Sequence, residues 1–262
     1  MNSVIGFIPA AGMGSRMCGF PVMKELLPIP YSFIDKKSEG VIVLIEDAFN
    51  TILDAGADCI VVAVNEDKTD LIKIINNNYG FKNAAHIAFV FQQQNTTAYG
   101  VPYAINCAQK FLRGKTVIMR FPDTILVADQ CLKFLLSFHE EKKSELTLGV
   151  FPTEHPERLG PVIYDSSGRV LRVEDKPRNP SAQNTWNCLI WEDSFTQKVI
   201  DTIQHRTNHP GEVSELIIAD IIREFITEGH EVYAHEFENS ACYDISCVLD
   251  FENVWETKKV RK

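Results

Sequence analysis

The chain begins with an uninterrupted apolar run over residues 4–8 that stops at Pro9. Such a run predicts a strand buried on both faces. The stretch VIVLIEDAFNTILDAG then carries the apolar spacing of a helix, with Gly56 as its stop, and CIVVAVN (59–65) is again continuous and apolar. Strand, helix, strand makes a βαβ unit. HIAFVFQ (86–92) and TVIMRFPDTIL (116–126) repeat the apolar run, with helical stretches predicted near 66–78 and 100–113. This alternation predicts an α/β protein with a mostly parallel sheet and helices on both faces.

Beyond residue 145 the predicted strands shorten and turn signals such as DSSGR and RNPS join them. LTLGVFP, GPVIYD and RVLRVEDK predict strands, residues 215–228 a helix ending at Gly229, and EVYAHEF a final strand. PYSFIDKKSEG (30–40) is polar, holds two lysines, and predicts a surface excursion. The expected organisation is a single domain over 1–262 with two halves, about 1–145 and about 146–262.

Composition adds little to this pattern: 45% hydrophobic and 23% charged residues are ordinary for a soluble protein. Charge adds more. A net charge of -9 argues against nucleic-acid binding, which rests on Lys and Arg neutralising phosphates. A local basic cleft for a small anion is compatible with it. The seven cysteines are dispersed without a CxxC pair and predict reduced thiols in a cytoplasmic protein. The opening MNSVIGFIPAAG lacks a signal-peptide pattern, and no apolar run is long enough for a membrane span. The histidines show neither metal-binding nor triad spacing.

The chemistry is concentrated in FIPAAGMGSRMCGFPVMKELLPIP (7–30). A glycine-rich turn after a first parallel strand lets phosphates approach backbone N–H groups, because glycine has no Cβ. A Walker loop needs GxxxxGK[ST], which is absent, and a dinucleotide fingerprint needs a third glycine where Met17 stands. What remains is A-A-G-x-G-[ST]-R over 10–16 with Lys24 downstream. IPAAGMGSRM followed by KELLPI resembles the signature of the sugar-1-phosphate nucleotidylyltransferases, and is most similar to glucose-1-phosphate uridylyl- and thymidylyltransferases.

That resemblance implies a Rossmann-like, GT-A-like nucleotidyltransferase fold with a nucleotide-binding first half and a sugar-phosphate-binding second half. It implies backbone contacts to the triphosphate from Ala10, Ala11, Gly12, Met13, Gly14 and Ser15. Arg16 would face the departing pyrophosphate and Lys24 the α-phosphate, two cations placed where negative charge redistributes. Asp123 stands at the position of the family's metal-binding aspartate, with Pro122 in place of a glycine. SACYDISCVLDFENV resembles the stretch that carries the second ligand, so Asp244 and Asp123 would hold Mg2+ and Asp123 would join Arg16 and Lys24 in catalysis. FQQQNTTAYGVPYAI occupies the base-reading segment, which implies Gly100 and either Gln92, Gln93 or Gln94. RLGPVIYDSSGRVLRVEDKPRNP is similar to the sugar-phosphate element, so Gly160 would admit a sugar ring, Glu174 would accept its hydroxyls and Lys176 would hold its phosphate. WNCLIW matches a sugar-contacting strand, implying Asn187, with Cys188 where glycine is usual.

The expected enzyme is therefore a Mg2+-dependent transferase that joins UTP or dTTP to a hexose 1-phosphate by direct displacement. Its partners would be small molecules, with no nucleic acid or membrane, and a homo-oligomer is compatible with the pattern. Two alternatives stand beside it: a cytidylyltransferase acting on phosphocholine or a polyol phosphate, and a catalytically silent sugar-nucleotide-binding protein.

Overall fold

Phe7 and Ile8 are neighbours in one strand, both fully buried, and they belong to different cores. Successive strand side chains point to opposite faces, so this strand lies in a sheet covered on both sides. The computed structural model describes residues 3–14, 22–34, 39–77, 86–93, 99–208 and 215–259. In chain order they form β1 (Val4–Pro9), β2 (Pro28–Pro30), α1 (Tyr31–Ile34), β3 (Val41–Val43), α2 (Leu44–Asp54), β4 (Cys59–Val64), α3 (Thr69–Asn77), β5 (Ile87–Phe91), α4 (Val101–Leu112), β6 (Thr116–Arg120), β7 (Thr124–Val127), α5 (Cys131–Lys142), β8 (Leu146–Pro152), β9 (Val162–Tyr164), β10 (Val170–Val173), β11 (Asn184–Trp191), α6 (Asp193–Asn208), α7 (Ile218–Thr227), β12 (Val232–Glu236), β13 (Ala241–Asp244) and α8 (Val248–Lys259).

The central sheet has seven strands in the order β12-β8-β11-β6-β1-β4-β5. β1 runs parallel to both β4 and β6, β4 to β5, and β12 to β8, while β11 runs antiparallel to its two neighbours. One core holds Phe7, Ile105 and Phe225 and packs α4, α6 and α7 against one face. The second holds Ile8, Phe49 and Leu135 and packs α2, α3 and α5 against the other. The expected mostly parallel α/β sheet, helices on both faces, is the observed one. Among the described residues no helix is long and apolar enough to cross a membrane.

Two local expectations are corrected. The 30–40 excursion is not simply polar surface: β2 and β3 pair antiparallel at its base, and Phe33 and Ile34 pack on a third core with Leu27, Ile125 and Val254. Residues 35–38 lie outside the described set. The run over 116–126 is also not one strand. β6 ends at Arg120, residues 121–123 turn, and β7 leaves the main sheet to pair with β13. Pro122 cannot donate to a ladder, which favours a break there.

A buried cation fixes that break. Arg120 is fully buried, and its Nη2 donates to Asp47 Oδ2 on α2 and to the Thr124 carbonyl at the start of β7, both at 2.9 Å. Its Nη1 donates to Thr51 Oγ1 at 2.6 Å. The guanidinium thus binds the strand before the turn, the strand after it and the helix beneath. Removing one partner of a buried pair leaves an uncompensated charge. Asp47→Ala is expected to lower the unfolding free energy by about 3–5 kcal/mol, read as a lower urea midpoint at unchanged slope. Thr51→Ala, which deletes a neutral partner, is expected to lose about 1–2 kcal/mol in the same measurement.

Candidate active site

The order β6-β1-β4 places β1 where the chain turns from one side of the sheet to the other, and ligands of open α/β sheets bind outside the carboxyl ends of strands at such a point. The chemical residues gather there. Beyond β1, the Ala10 amide donates to the Ala63 carbonyl at 2.8 Å, and the Ala11 carbonyl accepts from Asn65 Nδ2 at 2.7 Å. Gly12 and Met13 then stand exposed, and Gly14 adopts a φ of 61°, a conformation that suits glycine. Ser15 and Arg16 lie outside the described residues, as does Gln94.

The chain re-enters with a short 3-10 turn over Lys24–Leu26. The aliphatic stem of Lys24 lies beside Gly14: a Cβ built on that glycine would be 3.9 Å from Lys24 Cδ. The Lys24 ammonium forms an ion pair with Asp123, which the 121–123 turn presents from the end of β6. Asp244 arrives by strand pairing, because β13 sets Asp244 opposite Thr124 and the Ile245 amide donates to the Asp123 carbonyl at 2.9 Å. Burial opposes the charge of Lys24, but attraction and hydrogen bonding from Asp123, with further attraction from Glu25 and Asp244, outweigh it. The ammonium pKa is raised above its ordinary value, so Lys24 is a cation at neutral pH.

Two carboxylates facing one ammonium also bear on the metal that the resemblance implies. Mg2+ takes one or two carboxylates from a protein and completes its octahedron with water and substrate phosphates. Asp123 and Asp244 supply that donor set, and both are close enough to act on Lys24. No cluster of three or more His, Cys, Asp or Glu side chains that could hold a metal exists among the described residues. The fit is therefore to an ion shared with phosphate, not to an all-protein cage.

The segments that carry Gly160, Glu174 and Lys176 come together. The Glu174 amide donates to the Pro161 carbonyl and the Lys176 amide to the Leu159 carbonyl, each at 2.8 Å. Lys176 is exposed, with a φ of 43°. Glu174 is already engaged: Oε1 accepts from Arg172 at 2.6 Å and from the Ser181 hydroxyl at 2.7 Å, and Oε2 from the Ser181 amide. Burial raises its pKa, but the Ser181 bonds and the Arg172 charge prevail and hold it below its ordinary value. Gly160 faces protein, since a Cβ there would lie 2.6 Å from Trp186 Nε1. That N–H is buried with no hydrogen-bond partner among the described residues.

β11 carries an irregularity between Trp186 and Cys188, and this sorts its side chains. Asn187 is buried, and its Nδ2 donates to Cys242 Sγ at 2.8 Å, two residues before Asp244. Burial pushes the Cys242 thiol up to about 12 despite that bond. Cys188 belongs to the second core, where a Cβ on Gly149 would lie 2.3 Å from its Sγ, so the residue that replaces the usual glycine faces the interior. Phe121, in the turn before Asp123, packs against Trp186 with ring centroids 5.7 Å apart. β11 thus meets the 121–123 turn through Phe121–Trp186 and β13 through Asn187–Cys242.

Gln92 is half-buried at the end of β5, its amide on the Val64 carbonyl at 2.8 Å, and Gln93 is exposed. Gly100 has a packing reason of its own: its φ is 116°, and a Cβ would lie 2.3 Å from the Leu216 carbonyl oxygen. Sequence reasoning missed Glu25, Asn65, Lys68, Arg120, Phe121 and Trp186. Each is an ordinary residue at an ordinary position, and only the strand order makes them neighbours.

Comparison with known proteins gives a consistent picture. The family model for nucleotidyl transferases matches residues 5–257. Bifunctional protein GlmU of Pelobacter propionicus is 31% identical over 184 residues, 69% of this chain and 35% of that protein, so the match spans about a third of that relative. Glucose-1-phosphate thymidylyltransferase of Neisseria meningitidis is 22% identical over 227 residues, 86% of this chain and 72% of that protein. In fold the chain is similar to UDP-glucose pyrophosphorylase complexed with UDP-glucose, with a TM-score of 0.78, 17% identity and full coverage of both chains. A putative glucose-1-phosphate thymidylyltransferase from Bacillus anthracis gives a TM-score of 0.76 at 16% identity, covering 97% of this chain and 95% of that one.

Gly100→Ala tests the packing role of this glycine. Left-handed strain and contact with a carbonyl oxygen together are expected to cost about 2–4 kcal/mol. The loss should appear in thermal unfolding without ligand, and an unchanged midpoint would contradict the packing role.

Proposed function

The chain belongs to the nucleotidyl transferase family, and from that premise we propose that it joins a nucleoside triphosphate, UTP or dTTP, to a hexose 1-phosphate, releasing pyrophosphate. The observation that carries this reading is Lys24, set between the glycine loop and two aspartates at the switch point of the sheet. A phosphate oxygen of the sugar 1-phosphate attacks the α-phosphorus while the bond to the bridging oxygen of pyrophosphate breaks, and pyrophosphate leaves with the electron pair. The protein's task is to align two polyanions and offset charge in the transition state.

In this reading, amides of residues 10–14 cradle the triphosphate and Lys24 faces its α-phosphate. Arg16 receives the pyrophosphate, and Gln92 or Gln93 reads the base. Asp123 and Asp244 would hold Mg2+, which when bound neutralises phosphate charge. Lys176 holds the acceptor phosphate. Glu174, already braced by Arg172 and Ser181, presents its remaining acceptor capacity to a hydroxyl. The two halves act as one domain lining one cleft. A second reading, a cytidylyltransferase for phosphocholine or a polyol phosphate, is favoured by Trp186, whose indole covers the glycine over which a sugar ring would pass.

Pyrophosphate release from a panel of five triphosphates against hexose 1-phosphates, phosphocholine and polyol phosphates separates the readings. UTP or dTTP with a hexose 1-phosphate is the expected productive pair, and CTP with phosphocholine would establish the second reading. No release from any pair would overturn both. Asp123→Ala and Asp244→Ala are each expected to reduce kcat at least about 100-fold. Lys176→Ala is expected to raise KM for the acceptor about 10-fold with KM for the triphosphate unchanged.

A further inference from the structure

The turn that follows β4 contacts both the glycine loop and the Lys24 turn. Asn65, almost fully buried, fixes the Ala11 carbonyl with its Nδ2 and accepts the Asp67 amide at Oδ1. Its own carbonyl accepts the Lys68 amide at 3.1 Å. Lys68 then extends inward, and its Nζ contacts both oxygens of Glu25, at 2.8 Å and 2.7 Å, with side-chain exposures of 6% and 1%. Glu25 immediately follows Lys24 in a 3-10 turn, where successive side chains diverge by about 120°. Lys24 therefore faces Gly14 and Asp123 while Glu25 faces Lys68.

Two ion pairs of opposite order thus stand side by side on adjacent residues. The Glu25 carboxylate is near enough for its charge to act on Lys24. Without Lys68 it would be a buried carboxylate lacking its counter-charge, next in the chain to Lys24 and acting on its ammonium. We propose that Lys68 is a positioning residue: by occupying both oxygens of Glu25, it keeps that carboxylate from drawing the Lys24 ammonium away from Asp123. This rests on the reading of Lys24 as the cation that serves the reaction. Lys68 itself touches no reacting atom.

The test uses the full-length protein and two readouts. The first is the 15Nζ NMR signal of Lys24 in the free protein, assigned by its loss in Lys24→Arg and calibrated by its displacement in Asp123→Asn. Lys68→Met is expected to move this signal away from the wild-type position, and the isosteric neutral pair Glu25→Gln/Lys68→Met to return it. The second readout is turnover with the productive substrate pair. Lys68→Met is expected to lower kcat about 10–100-fold with KM values changed less than about 3-fold, and the neutral pair to recover kcat to within about 3-fold.

The reversed pair Glu25→Lys/Lys68→Glu guards against a simple loss of folding. It retains a buried ion pair but sets a second ammonium beside Lys24, so stability is expected to survive while the Lys24 signal stays displaced and kcat stays low. If Lys68 only glues the fold, kcat will follow thermal stability through the series and the Lys24 signal will keep its wild-type position in every folded variant. That result overturns the proposal. Because the NMR readout needs no substrate, it decides the positioning role even if no triphosphate and acceptor react, an outcome that would count against the proposed function alone.

Discussion

A guanidinium with no access to water must carry its counter-charge and acceptors with it, and at Arg120 that requirement organises the site. Its partners are Asp47 and Thr51 on α2 and the Thr124 carbonyl on β7, so the end of β6 cannot continue straight into the sheet. The chain turns at 121–123, and β7 departs to meet β13. Asp123 is delivered by the turn and Asp244 by the pairing. Phe121, in the same turn, rests on Trp186. One buried charge thus braces the turn that carries both Asp123 and Phe121.

Around Lys24 the same economy recurs on a smaller scale. The pairs Lys68–Glu25 and Lys24–Asp123 lie on consecutive residues of one turn, each satisfying the other side's need for a nearby opposite charge. The bulk charge of -9 says nothing of this group, because bulk charge averages over a surface whereas Lys24, Lys68 and their carboxylate partners are brought together by the fold. The loop, the lysine turn and the two aspartates come from four separate segments. They converge because β1, β4 and β6 are adjacent and their carboxyl ends open on the same side.

What the chain alone determined is its layering and its glycine-rich loop. Continuous apolar runs specify strands buried twice over, and helical spacing between them specifies the layers, so β1, α2, β4, β5 and α4 were legible from local pattern. The glycine turn with Lys24 downstream was legible too, because a left-handed turn such as that at Gly14 favours glycine. Only the tertiary structure decided the rest. Cys188, where glycine is usual, proves to lie in the second core beside Gly149. That Gly100 also has to be glycine for packing against the Leu216 carbonyl was not legible. The burial of Glu25, Lys68 and Arg120 was not legible, since a charged residue shows its burial only when its partner, far away in sequence, has been folded against it.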